Sequence, residues 1–431
     1  MLITCDYVVC MDSERKIIKD GAILVEEGKI AEIGPRKELD KVKGKDEEIL
    51  DGKGKVAMPG LINAHTHLSM TLFRGFADDL PLDVWLKEKI WPLEAKLTGY
   101  DCYVGALLGC LEMLKTGTTC FVDMYFFMED VAKAVKEAGI KAFLSYGMID
   151  LFSSKRREVE LKKTKKFINF IKKFGNGKIK PLLGPHAPYT CSKDMLLEVR
   201  ELANEENLKI TIHCSETRKE VEEVRRKFGK RPVEYLNSIG FLDKDVLLAH
   251  CVWLSPLEVF TLVKKQVSIA YNPISNMKLA SGICPVHVFL KNNVNVTIGT
   301  DSCASNNNLD MFEEMKVASL LPKINVYKPD VINAYQILEM ATVNAAKFLE
   351  MNSGSIEVGK DADIILLDLN SPFMNPIHNI MSNIVYAANG SCVDTVIIDG
   401  EVVVRNKKVL TLDEEEVIRK AREAAYDLIN R

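Results

Sequence analysis

The chain has 431 residues, 47% of them hydrophobic, with 57 Lys and Arg against 60 Asp and Glu for a net charge of −3. Charges this balanced give no field for phosphate backbones, so nucleic acid is excluded as a partner, and the Lys-rich stretch Lys155 to Lys173 reads as one helix's solvated face. The 11 cysteines are scattered singly with no CxxC, no apolar run approaches the roughly 18 residues of a membrane span, and the N-terminus lacks a signal peptide's basic start; a cytoplasmic protein with no membrane partner is expected.

In chain order, the first 57 residues alternate short apolar runs with turn signals: Tyr7 to Met11, Ala22 to Glu26, Ile30 to Ile33 and Ile49 to Ala57. These predict strands, with Gly28 free to take the positive φ of a tight hairpin. From Met58 onward, β-branched runs alternate with amphipathic helical windows, a βα repeat that implies a parallel sheet with helices outside. Eight strands are predicted: Leu61–Leu68, Thr119–Tyr125, Ala142–Ile149, Ile179–Gly184, Ile210–Cys214, Val246–His250, Val267–Asn272 and Val294–Asp301. Eight favour a closed barrel over an open sheet. Between them, Ser255-Pro256-Leu257-Glu258 carries a capping box with proline at the first helical position. After about Gly354 the pattern returns to strands, Ala362–Leu369 and Val393–Val404 with an Asp399-Gly400 turn, and a charged helix follows from about Leu412. The expected architecture is an α/β chain in which a (β/α)8 barrel is inserted into a small β domain built from both termini.

Only seven histidines are present, and five lie at or just after predicted strand ends, on the side where barrel enzymes assemble their sites. Period-two alternation turns Asn63, His65 and His67 inward on the first strand, Thr211 and His213 inward on the fifth, and Asp301 inward at the end of the eighth. Three neutral nitrogens and one carboxylate leave a position open for water, as in a catalytic zinc-type site. A lone inward histidine is more often a core residue, and a bare HxH is a weak motif. Four ligand-type residues at the ends of strands 1, 1, 5 and 8 are a poor match to chance. His287, in a helical run, and His378, in a late loop, are assigned to structure. Alternation turns Cys214 away from the metal, and Cys303 receives no assignment.

The run Pro59-Gly60-Leu61-Ile62-Asn63-Ala64-His65-Thr66-His67, with His213, His250 and Asp301, resembles the amidohydrolase superfamily over essentially the whole chain. That resemblance implies a catalytic barrel over residues 58–357 and a composite β-sandwich with a C-terminal helix from residues 1–57 and 358–431. Three further stretches resemble the methylthioadenosine/S-adenosylhomocysteine deaminase group: Arg74-Gly75 through Asp78-Asp79-Leu80-Pro81-Leu82, Ile90-Trp91-Pro92-Leu93-Glu94, and Gly184-Pro185-His186-Ala187-Pro188-Tyr189. The resemblance implies a nucleoside substrate, with Glu94 on the ribose hydroxyls and His186 on the nucleoside, one divalent metal per subunit (Zn²⁺, or Fe²⁺ with the same ligands) and a homo-oligomer, dimeric or tetrameric. Water on such a metal has its pKa lowered to about 7. Asp301, with its second oxygen free, is then the expected proton acceptor, and His250 orients the attack at C6. Glu216, in the HxxE spacing His213-Cys214-Ser215-Glu216, protonates a ring nitrogen before ammonia leaves.

The end of strand three reads Ser145-Tyr146-Gly147-Met148, without the arginines that bind an amino-acid carboxylate in family members acting on S-adenosylhomocysteine. Small or apolar 5′ groups are therefore expected, as in 5′-deoxyadenosine or methylthioadenosine, the substrates of an archaeal-type 5′-deoxyadenosine deaminase. A guanine, cytosine or triazine aminohydrolase shares the same ligands and is the nearest alternative. Strand four runs into Gly184-Pro185-His186 with no lysine to bridge two metals, and no PCxxC motif marks a cytidine-deaminase-type site. A non-catalytic barrel would be expected to have lost ligands, and all four are present.

Overall fold

The computed structural model describes residues 1–42, 48–80 and 84–431. Four strands open the chain: β1 (Leu2–Val9), β2 (Ile17–Glu26), β3 (Lys29–Pro35) and β4 (Ile49–Pro59). Glu27 and Gly28 both take positive φ, 49° and 77°, giving the β2–β3 hairpin the twist a two-residue turn needs. β1 begins at Leu2 rather than Tyr7 because it is a central strand, paired with β2 on one side and β4 on the other. Asp6, which breaks its apolar pattern, sits at a register shift and accepts the Gly54 N–H at 3.0 Å.

The eight predicted barrel strands all form: β5 (Leu61–Thr66), β6 (Thr118–Tyr125), β7 (Lys141–Met148), β8 (Ile179–Pro185), β9 (Ile210–Cys214), β10 (Val246–His250), β11 (Ser268–Tyr271) and β12 (Val296–Ile298). Each pairs in parallel with its sequence neighbour, in the order β5 through β12. The last strand is shorter than expected, and closure is completed beyond it, where the Asp301 N–H donates to the His65 carbonyl at 2.9 Å. A Cβ on Gly299 would lie 2.7 Å from the His65 backbone nitrogen, so only glycine lets the first and last strands meet. Outside the barrel, the Ser255 hydroxyl accepts the Glu258 N–H and the Glu258 carboxylate accepts the Ser255 N–H, the reciprocal capping box expected there.

The chain then returns through β13 (Ile364–Asp368), β14 (Val393–Ile398), β15 (Glu401–Arg405) and β16 (Lys408–Val409). These join β1–β4 in one mixed sheet, ordered β16-β15-β14-β13-β4-β1-β2-β3, where β4 pairs with β1 in parallel and with β13 antiparallel. Asp399 and Gly400, at φ 50° and 76°, make the β14–β15 turn. Helix Glu414–Asn430 closes the chain, its first turn capped by Asp413. Among the described residues no helix is long and apolar enough to cross a membrane.

A buried ion cluster fastens the barrel to this sheet. Lys141 of β7 is 2.8 Å from Asp363 and 2.5 Å from Asp399, with Asp363 also accepting the Asp399 N–H at 2.9 Å. Removing one member of a buried pair leaves uncompensated charge and costs about 3–5 kcal/mol. Lys141→Met should therefore lower the unfolding free energy in denaturant titration by about 3 kcal/mol while the folded protein keeps its turnover. A loss below about 1 kcal/mol, the range of exposed pairs, would show that the cluster is not holding the two parts together.

Candidate active site

The C-terminal ends of the barrel strands carry the chemistry-bearing residues, and the local backbone is unusual there. His250 (φ 75°), Cys251 (49°), Ser215 (55°) and Asp301 (61°) all adopt left-handed conformations, each costing roughly 1 kcal/mol or more. Backbone bonds hold them: Cys251 N–H to the Cys214 carbonyl at 3.0 Å, and Val252 and Trp253 N–H to the Ser215 carbonyl at 3.0 and 2.9 Å. These reversals aim strand-end side chains into the barrel mouth instead of letting the alternation continue.

His65, His67 and His213 converge, with ring centroids 4.9–5.2 Å apart. The ligand-type atoms of these three lie within 4.8 Å of one another, as do those of His65, His250 and Asp301. His67 Nδ1 is 2.6 Å from the Met124 carbonyl and His213 Nδ1 is 2.7 Å from the His186 carbonyl, so both rings carry their proton on Nδ1. Their Nε2 atoms face each other at 3.2 Å. Burial lowers the His65 pKa to about 4 and that of His213 well below the usual histidine range, which keeps both rings neutral. His65 Nε2 is buried without a hydrogen-bond partner, 3.6 Å from Asp301 Oδ1. Converging lone pairs, an orphaned ring nitrogen and a buried carboxylate fit a divalent cation, and the Nδ1–carbonyl bonds are the outer support such ligands use.

Asp301 differs from the expectation in one respect: its second oxygen is not free. Oδ2 accepts from the Ser275 hydroxyl at 2.6 Å and the Ser305 hydroxyl at 3.2 Å, while Oδ1 faces His67 Nε2 at 3.3 Å. Burial alone would raise its pKa, but the His65 contact and the surrounding histidines hold it well below the usual carboxylate range. His250 is set apart by its partners. The Asn276 and Asn272 side-chain nitrogens stand 3.0 and 3.3 Å from its Nδ1, so that nitrogen accepts and Nε2 carries the proton. Nε2 faces Glu216 Oε2 at 3.8 Å, so His250 presents an N–H towards that carboxyl.

Glu216 is one residue past the left-handed Ser215, with Oε1 accepting from the Ser281 hydroxyl at 3.3 Å. Burial, helped by the Asp301 charge, pushes its pKa up to about 8. Glu94 ends the short helix Trp91–Glu94, and its Oε1 accepts from the buried Tyr125 hydroxyl at 2.8 Å. Burial raises its pKa to about 7. His186 follows β8, with Nδ1 2.9 Å from the Thr190 hydroxyl and its ring 4.8 Å from that of His213. His67, Glu94, His186, His213, Glu216, His250 and Asp301 line one cavity of about 750 Å³, walled by Trp85, Ile90, Trp91, Phe126 and Ile149. Every site residue read from the sequence thus lies in or beside one cavity, since His65 stands directly behind it.

In the remaining motifs, Arg74 pairs with Glu112 and stands 3.5 Å from Cys303 Sγ, and Asp78 is 2.5 Å from Lys278 Nζ. Pro81 and Leu82 lie outside the described residues. Cys214 is buried in the apolar core and Cys303 packs against Arg74, so neither belongs to the ligand set. Sequence reasoning missed Tyr125, Asn272, Ser275, Asn276, Ser281 and Ser305. Asn272-Pro273-Ile274-Ser275-Asn276 did carry a signal, since proline at the first helical position places a helix start immediately after a barrel strand.

Residues 56–403 match the amidohydrolase family. The chain belongs to that family. This amidohydrolase is 48% identical over 99% of its length to a 5′-deoxyadenosine deaminase of Methanosarcina acetivorans, covering 97% of that protein. It is 51% identical over 94% of its length to a 5-methylthioadenosine/S-adenosylhomocysteine deaminase of Thermococcus sibiricus, covering 93% of that protein. Among solved structures, an adenosine deaminase of Xanthomonas campestris with bound zinc superposes with a TM-score of 0.95 at 33% identity, covering 100% of this chain and 98% of that one.

The two serines on Asp301 yield a direct test. Ser275→Ala should fold normally and lose about 10- to 100-fold in metal affinity, measured by competition with a chelator, because the carboxylate loses its closest outer support. Unchanged metal affinity would show that Ser275 does not set the ligand.

Proposed function

We propose that this amidohydrolase deaminates adenine nucleosides modified at the 5′ position, using one Zn²⁺ held by His65, His67, His213 and Asp301. The observation that carries the reading is Glu216: a buried carboxyl with a pKa pushed up to about 8, in the same cavity as the ligand cluster. A group protonated at neutral pH beside an ionised Asp301 gives one acid and one base in the same pocket.

A divalent cation at the cluster lowers the pKa of water to about 7, which supplies hydroxide at neutral pH. The protein's own groups do the rest. Glu216 gives its proton to a ring nitrogen such as N1 of adenine, which makes C6 electrophilic. His250 Nε2–H donates to the attacking oxygen and fixes its direction. Asp301, steadied by Ser275 and Ser305, takes the proton of the attacking water and returns it to the departing amine. As the C6 carbonyl forms, the hydroxyl proton of the adduct restores the Glu216 carboxyl, and the nucleoside and water have become the inosine analogue and ammonia.

Glu94, oriented by Tyr125, has acceptor capacity left for vicinal hydroxyls and so suits a ribose, and His186 contacts the nucleoside. The hollow beyond Glu94 is walled by Phe126, Phe127, Ile149 and Leu151. Of the three cations that line it, Lys163 is bound to the Tyr146 hydroxyl at 3.0 Å and to Glu160 at 3.2 Å, Lys166 stands 3.5 Å from Glu129, and Arg156 is the third. The apolar wall supports 5′-deoxyadenosine and methylthioadenosine as the preferred substrates, with Arg156 the one group that would favour S-adenosylhomocysteine.

Ammonia release measured across these three nucleosides, adenosine and guanine tests the reading. A higher kcat/KM for S-adenosylhomocysteine would overturn the 5′ preference, and activity on guanine alone would overturn the substrate class. Glu216→Gln should retain its metal and lose about two to four orders of magnitude in kcat. Because the acid works in its protonated form, kcat of the natural protein should fall as pH rises through about 8, and that limb should vanish in the variant. Near-normal turnover in Glu216→Gln would remove the assignment.

A further inference from the structure

A second buried carboxylate lies directly behind Glu216 and touches none of the reacting groups. Glu220 is the third residue of helix Arg218–Phe228, whose N-cap is Thr217. The Thr217 hydroxyl accepts the Glu220 N–H at 3.1 Å, half of an ordinary capping box. In such a box the glutamate would return to the N-cap N–H. Here it reaches further back: Oε1 accepts the Ser215 N–H and Oε2 the Glu216 N–H, both at 2.8 Å. Two successive backbone N–H groups beside a left-handed residue form a concave anion nest, and the Glu220 carboxylate fills it.

We infer that Glu220 is a positioning residue for the reaction, fixing the turn that presents the Glu216 carboxyl to the substrate. The inference rests on the reading of Glu216 as the acid. Ser215 is held at both of its backbone groups: its N–H by Glu220, and its carbonyl by the Val252 and Trp253 N–H groups of the segment after His250. Without Glu220 two buried N–H groups lose their acceptor and Ser215 loses what offsets its left-handed conformation. The Glu216 carboxyl would then move from its place between the Ser281 hydroxyl at 3.3 Å and His250 Nε2 at 3.8 Å. The metal ligands would be spared, since the nest begins two residues beyond His213 and the His213 ring is fixed separately through the His186 carbonyl.

Glu220→Gln replaces one acceptor oxygen by a donor facing a backbone N–H. Steady-state kinetics, metal analysis and a cycle with Glu216→Gln test the role. Glu220→Gln should lower kcat about 10- to 100-fold, the scale of a misplaced catalytic group, with metal content unchanged and KM moved less than about threefold. In the Glu216→Gln background the same change should cost less than about threefold, because the group it positions is already gone. A merely structural glutamate would cost the same factor in both backgrounds, and that result overturns the inference. So does a slow Glu216→Gln alongside a Glu220→Gln within about threefold of the natural protein, which leaves the acid assignment standing. Near-normal turnover of Glu216→Gln would instead remove the acid assignment and this inference with it. Glu220→Asp, which keeps the charge but is too short to reach both N–H groups, takes the place of the Gln variant if that one fails to accumulate, with the same pattern expected.

Discussion

The seam between the first and last barrel strands is the contact on which the rest of the site depends. Asp301 donates its backbone N–H to the His65 carbonyl at 2.9 Å, so the bond that closes the barrel also joins two residues of the ligand cluster. Closure needs the strands to approach at Gly299, where a side chain would strike the His65 backbone. Once they meet, Asp301 turns left-handed and sends its carboxylate across the mouth toward His67 rather than along the strand. Barrel closure and assembly of the cluster are thus a single event. A change at Gly299 would cost both, even though it removes no ligand atom.

The cavity also shows how one residue type is divided among different tasks. Asp301, held by the His65 contact and the surrounding histidines, stays ionised despite its burial. Glu216 has one hydroxyl donor and the Asp301 charge as a neighbour, and its pKa rises to about 8. Glu220, also buried, is raised only to about 7 because backbone N–H groups oppose the effect of burial. Burial is common to all three, so the number of donors and the sign of the neighbouring charge separate them. The histidines divide similarly. Carbonyls at Nδ1 free the Nε2 lone pairs of His67 and His213, whereas amide nitrogens at Nδ1 leave His250 with a proton on Nε2.

These distinctions explain what the sequence could and could not disclose. Strand periodicity put His65 and His213 on the inward face because each sits on a barrel strand whose alternation holds to its end, whereas Asp301 lies beyond the end of β12 and reaches the cluster through its left-handed turn. It placed His67 only approximately: β5 stops at Thr66, and the His67 ring reaches the cluster from the first residue beyond it. The apparent freedom of the Asp301 carboxylate was misjudged because Ser275 and Ser305 belong to other segments, and no spacing rule links residue 275 to residue 301. Tyr125 was invisible for the same reason, since its tie to Glu94 joins the end of β6 to a distant helix. Glu220 had a local signal of its own: Thr217-x-x-Glu220 is a legible capping pattern, but its carboxylate goes further back than that rule describes.

The terminal sheet bears on the site through the far end of the same strand. β4 passes directly into β5 at Gly60, whose N–H donates to the Asp363 carbonyl at 3.0 Å, and Asp363 in turn holds Lys141 at the start of β7. The lower ends of β5 and β7 are therefore fixed to strands that arrive from the other end of the chain. β5 carries His65, so the height of that ring in the barrel is tied to a sheet to which both ends of the chain contribute. This arrangement gives the two faces of the barrel different characters. The lower face is bound by buried ion pairs and regular sheet, while the upper face holds the left-handed turns and neutral histidines that oppose stability. Strain can be concentrated at the upper face because the lower ends of the same strands are held so firmly.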